Sequence, residues 1–125
     1  MKELVKLGRT FVEAMQNRRG IAHVDEIYAK NAESIEAVVP PGRDVRIAKG
    51  RGSIKAKRED WVANHEIHNL DADGPYVHPP NQFAVRFEVE VTQKATGRKM
   101  TLREVALYSV EEGKIVREEF FMLPK

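Results

Sequence analysis

The chain has 125 residues, 42% of them hydrophobic and 32% charged, with a net charge of +2 and no cysteine. That length suits one domain spanning 1–125, and the balance is that of a folded chain rather than a disordered one. The charge is too small to point to nucleic acid, the longest apolar run, Phe120–Leu123, is far too short to cross a membrane, and the absence of cysteine excludes disulfides, a thiolate nucleophile and cysteine-held zinc.

The opening MKELVKLGRTF lacks the apolar core of a secretory signal, so a cytoplasmic location is the default expectation. Leu4, Leu7, Phe11, Val12 and Met15 recur at helical spacing and predict a helix over about 3–17, with Gly20 placed to end it. A short second helix, over about 22–29, would turn Val24, Ile27 and Tyr28 inward, with His23 near its start. AESIEAVV reads as a strand closed by Pro40-Pro41-Gly42. Seven basic residues follow, namely Arg43, Arg46, Lys49, Arg51, Lys55, Lys57 and Arg58. Among them GRGS precedes a helix predicted over about 53–64, with Ser53 as its N-cap. Such a helix start can hold a phosphate, but neither the P-loop nor the dinucleotide spacing is present. A capped helix with a solvated basic face is the plainer reading.

HEIHN places two of the four histidines around a glutamate, and His78 follows in GPYVHPP. The spacing is not His-Glu-x-x-His, and the segment runs from a helix end into a strand, where residues three apart point to opposite faces. No metal and no other cofactor is therefore expected. His65 is expected to close the helix and His78 to lie in a loop. His68 shares a strand face with Glu66 and is the histidine best suited to acid–base work.

Phe83–Val91 alternates apolar and polar residues, ATGR supplies a turn, Met100–Val110 a strand, EEGK a second turn and Ile115–Leu123 a last strand. Helices first and an antiparallel meander after them predict an α+β fold. A two-residue turn at Thr96-Gly97 sets Val91 opposite Leu102 and Glu90 opposite Arg103; a slip of one residue would set Glu88 against Glu104. A two-residue turn at Glu112-Gly113 sets Tyr108 opposite Arg117 and Ala106 opposite Glu119. The helix-covered face then carries Phe83, Val85, Phe87, Val89 and Val91, with Glu104, Tyr108, Arg117, Glu119 and Phe121 among them. The other face carries Val105, Leu107, Val116, Phe120 and Met122 beside charged residues that include Glu118. That face is too apolar for water alone, and a homodimer through it is expected. A carboxyl in apolar surroundings titrates nearer neutrality, so Glu104 or Glu119 is a candidate base, with Tyr108 and His68 as polarising donors. The plainer alternative pairs Arg117 with Glu119 at the sheet end and leaves Glu104 on an exposed rim.

WVANHEIHNLDADGPYVHPPNQFAVRFEVEVT, ATGRKMTLREVALYSV and EEGKIVREEFF resemble SnoaL-like members of the nuclear transport factor two-like superfamily, over nearly the whole chain and most specifically at GKIVREEFF. The resemblance implies a strongly curved, mixed, mainly antiparallel sheet with the N-terminal helices packed on its concave face. This cone would enclose a pocket for a small hydrophobic molecule, with Tyr28, Trp61, Phe87, Arg117 and Phe121 in its walls. Dimers are common in the family. Its activities range over cyclisation, isomerisation, dehydration and epoxide opening, and some members have none. Many members place an acidic residue after an aromatic pair in the last strand, where this chain reads Phe120-Phe121-Met122-Leu123. The Arg-x-Asp pair of the epoxide hydrolases finds only Arg86-Phe87-Glu88, on the other face. Isomerase chemistry would need a carboxylate base inside the cone, for which Glu36, Glu104 and Glu119 are the candidates. Three functions are consistent with this: binding of a small apolar molecule, cofactor-independent isomerase, lyase or cyclase chemistry on a carbonyl compound, or protein recognition through the outer sheet face.

Overall fold

The computed structural model describes residues 1–39 and 46–123. The expected turn at Pro40-Pro41-Gly42 and the basic residue Arg43 lie outside the described residues. No helix among the described residues is long and apolar enough to cross a membrane.

Helix α1, Lys2–Gln16, buries Leu4, Gly8, Phe11, Val12 and Ala14 along one stripe. It stops at Asn17, short of the expected Gly20. Arg18, at φ 58°, takes the left-handed conformation usually left to glycine. Its N–H donates to Met15 O at 3.0 Å and that of Arg19 to Ala14 O at 2.7 Å, which satisfies carbonyls that the last turn leaves open. Gly8 serves packing instead. A Cβ there would stand 2.7 Å from the Cβ of Pro75, so the missing side chain is what lets α1 lie against the sheet.

Helix α2 is only Val24–Ile27. Tyr28, expected at its end, is extended (φ −95°, ψ 142°) and opens strand β1, Tyr28–Ile35. A short strand β2, Ile47–Lys49, pairs with β1 and has no periodic signal of its own. Helix α3, Arg51–Asn64, starts after Gly50 (φ 90°), and Ser53 lies inside it rather than capping it. Strands β3 (His65–His78), β4 (Gln82–Gln93), β5 (Arg98–Glu111) and β6 (Lys114–Met122) follow. His78, expected in a loop, pairs with Gln82 as the last residue of β3.

The sheet order is β2-β1-β6-β5-β4-β3. Every pairing is antiparallel except the parallel β1–β6 contact, so the fold is α+β with a mixed, mainly antiparallel sheet. The ladders are interrupted at Tyr28/Glu33, Ile67/Asn69, Asp73/Tyr76 and Ser109/Val110. Such bulges bend and twist strands, and the sheet curls into a cone around the helices. The core fills the concave side. Phe11 of α1 meets Tyr108 at 4.5 Å between ring centroids, and Tyr108 stacks on Phe83 at 4.9 Å.

Two registers differ from expectation. The β4–β5 turn uses four residues, Lys94–Gly97, so Glu88 faces Arg103 and Phe87 faces Glu104. That slip is two residues long, and the pleat repeats every two, so each side chain keeps its face. Between β5 and β6 the two-residue turn forms as expected, with Glu112 and Gly113 at φ 50° and 75°, the signature of a tight hairpin turn. Val110 faces Ile115, but the next pair is Ser109 with Arg117, which leaves Val116 with no opposite residue. From this bulge onward β6 is turned over. Glu118 and Phe120 point into the cone; Arg117, Glu119 and Phe121 point out.

Candidate functional site

The bulge in β6 decides what the cone contains. Glu118, expected on the outer face, is fully buried. Its Oε1 accepts hydrogen bonds from the Tyr28 hydroxyl and from Arg58 Nη2, the latter at 3.0 Å. Its Oε2 accepts from Ser34 Oγ at 2.6 Å. Two elements supply these donors. Ser34 is the register partner of Glu118 on β1, and Tyr28 opens the same strand. Arg58 comes from α3 and also donates to the Tyr28 oxygen at 2.6 Å and to Gly20 O at 3.3 Å. A carboxylate taken out of water is tolerated only when it is paired and hydrogen-bonded in this way.

Lys57, the neighbour of Arg58 on α3, also points inward. It is ion-paired with Glu36, donates to Ser34 Oγ at 2.5 Å, stands 3.9 Å from Glu118 Oε2, and lies 5.1 Å from the centre of the Phe120 ring. The basic face of α3 is thus not simply solvated. Arg51 and Lys55, at its start, both meet Asp25, at 3.5 and 3.2 Å. The sequence carried a signal for the inward pair: Ile54, Lys57, Arg58 and Trp61 recur at the i, i+3, i+4, i+7 spacing of a buried stripe.

Glu104 sits on the concave face of β5 between Phe87 of β4 and Met122 of β6. Burial first, then the charges of Glu36 and Glu118, push its carboxyl up to about 7, while Lys57 pulls the other way; no hydrogen bond takes part. Two residues further inward along that face is Ala106, and beyond it Tyr108, wholly buried. The Tyr108 hydroxyl has no hydrogen-bond partner among the described residues. Burial, with Tyr28 and Glu118 nearby, holds it well above the ordinary phenol range, so it is a donor and not a phenolate.

Of the expected site residues, Glu104, Tyr108, Tyr28 and Phe87 share the concave side. Trp61 is half-buried against the core and stacks on His65 at 4.3 Å. His65 caps α3 and its Nδ1 lies 2.9 Å from Trp61 O, as a helix-closing residue should. Four expectations are corrected. Glu119 faces Leu107 on the outer surface and pairs with Arg117 at 3.3 Å, so neither enters the cone. Phe121 is 46% exposed on that same outer surface, opposite Val105. The cause is the one-residue bulge, which sends three side chains outward together. His68 falls at the Ile67/Asn69 irregularity of β3, is exposed, and bonds Thr92 Oγ1 at 2.6 Å rather than Glu66. It lines a surface recess of about 390 Å³ that shares no residue with the Glu104 cluster. Among the described residues no group of histidines and carboxylates is placed to hold a metal ion.

Comparison with known proteins matches a family model described as a SnoaL-like domain over residues 5–122. A solved structure from Mesorhizobium loti, provisionally named a SnoaL-like polyketide cyclase with carbohydrate phosphatase given beside it, is 34% identical, has a TM-score of 0.85, and is covered over 93% of this chain and 96% of its own. A nuclear-transport-factor-two-like protein of unknown function from Burkholderia pseudomallei has 21% identity and a TM-score of 0.73, over 98% and 92% of the two chains. A protein provisionally named an isomerase, from Bacillus subtilis, has 16% identity and a TM-score of 0.75, over 98% and 88%. A search of functionally curated proteins returns no match.

Proposed function

The chain belongs to the SnoaL-like domain family, and from that premise we propose that its concave face binds a small, mainly apolar molecule that carries a hydrogen-bonding oxygen. The observation that carries this reading is the pair formed by Glu104 and Tyr108 on one face of β5. One is a half-buried carboxyl that changes charge near neutral pH, and the other is a buried hydroxyl with no partner among the described residues. Polar groups left open in an apolar setting are what a ligand pocket uses to orient its guest. Phe87, Trp61 and Phe120 supply apolar surface around them.

A second reading follows from the same carboxyl. A glutamate with its pKa near 7 is matched to proton transfer at neutral pH, which suits an isomerase, lyase or cyclase acting beside a carbonyl without a cofactor. In that reaction Glu104 would move the proton and Tyr108 would donate to the developing oxyanion. The Mesorhizobium loti relative is provisionally named a polyketide cyclase, which is in keeping with a cyclase reading, but its name gives two activities and does not choose a reaction. Glu118, held by three donors, is the anchor of the site and not its base.

The test is a small-molecule screen by thermal shift on the wild type and on a Tyr108→Phe/Glu104→Gln double variant. The reading expects apolar carbonyl compounds to raise the melting temperature of the wild type and not of the variant. Equal shifts in both would remove Glu104 and Tyr108 from the site.

A further inference from the structure

Two cations and three carboxyls meet at the polar end of the cone. Lys57 is taken up by Glu36 and Ser34 Oγ, and Arg58 by Glu118, Tyr28 and Gly20 O. Glu104 is the carboxyl left over. We propose that Glu36 is a specificity-determining residue which, by occupying Lys57, makes the site accept an uncharged oxygen compound and reject the corresponding anion. This deepens the ligand-binding reading above and rests on it.

At first sight the opposite would be expected. Lys57 and Arg58 both point inward from a helix rich in basic residues, and a carboxylate or phosphate ligand would be the natural guest of two buried cations. The pairing removes that option. To engage an anion, Lys57 would have to leave Glu36, whose side chain is only 28% exposed, and Arg58 would have to leave Glu118, which is 0% exposed. Stripping a partner from a buried charge is strongly unfavourable. Glu104 is left without a cation of its own, and in its ionised form it repels an incoming anion. An uncharged ketone, ester or amide disturbs none of these pairs. Its oxygen accepts from the Tyr108 hydroxyl, which is wholly buried and without another partner among the described residues, and from the protonated Glu104 carboxyl.

The experiment compares methyl benzoate with benzoate, two probes of similar shape that differ in charge, by NMR titration of the Trp61 indole N–H at neutral pH. Wild type and Glu36→Gln are measured side by side, with melting temperature as the control for folding. The inference expects methyl benzoate to bind wild type at least tenfold more tightly than benzoate. It expects Glu36→Gln, which frees Lys57, to shift the benzoate-to-ester preference at least tenfold toward benzoate. Benzoate binding wild type as well as the ester, or an unchanged preference in Glu36→Gln, would overturn the inference while leaving the ligand site standing. Failure of both probes to bind either protein would overturn the ligand site and the inference with it.

Discussion

At the residue scale, Glu104 and Tyr108 make opposite demands on stability. A carboxyl raised from its ordinary value to about 7 binds its proton more tightly in the folded chain than in the unfolded one. Its stabilising effect is complete below the unfolded pKa, near 4.5, and is lost as pH rises through 7. Partial solvent access reduces the size of the effect, so the loss should be on the order of 2 kcal/mol. Chemical denaturation of wild type and Glu104→Gln at about pH 5 and about pH 8 should show it, with the variant gaining relative to wild type at the higher pH. A constant difference between the two proteins would remove the shift. Tyr108 differs because its hydroxyl is buried without a partner among the described residues. Tyr108→Phe deletes an unsatisfied group, so its stability should equal or exceed wild type by about 1 kcal/mol, even as ligand binding weakens. A clear loss of stability would mean that the hydroxyl is already hydrogen-bonded within the folded protein.

At the element scale, strand β6 separates what could be read from the sequence from what could not. The hairpin turn, the strand and its length were legible from EEGK and the apolar run. Its facing was not, because EEFF repeats each residue type twice: either register puts one glutamate and one phenylalanine on each face, so periodicity is blind to a one-residue slip. The bulge at Val116 has no glycine to announce it. Only the partners distinguish the two glutamates. Glu118→Ala would strand Arg58 in the interior, and we expect a loss of about 3–5 kcal/mol. Glu119→Ala removes an exposed pair with Arg117 and should cost less than about 1 kcal/mol. The reverse order in urea denaturation would restore the unbulged register. Helix α1 offers a parallel case. Its stripe was legible, but the packing role of Gly8 was not, since a glycine inside a helix normally only weakens it. Gly8→Ala should gain about 1 kcal/mol of helix propensity yet lose about 1–3 kcal/mol to collision with Pro75. A stabilised Gly8→Ala protein would show that α1 does not approach the sheet so closely.

At the scale of the whole molecule, the cone was legible because its elements follow one another as helices and then a meander, and because long stretches resemble a known family. The polar end of the cone was not legible, because it is assembled from β1, α3, β5 and β6, far apart in sequence, and depends on one bulge. The outer surface now carries Val105, Leu107 and Phe121, with Tyr76 55% exposed on β3. We propose that a second copy of the chain covers this surface. Light scattering should then report twice the 14.3 kDa chain mass, and Phe121→Arg should return it to one. A wild type of single-chain mass would remove the dimer and leave the interior untouched. What the interior does depends most on one proton. Carbon-13 NMR of the Glu104 carboxyl, followed from about pH 4 to about pH 9, should show a midpoint at about 7 that moves when an apolar carbonyl compound is added. A midpoint in the ordinary glutamate range near 4.5, unmoved by any such compound, would contradict the account.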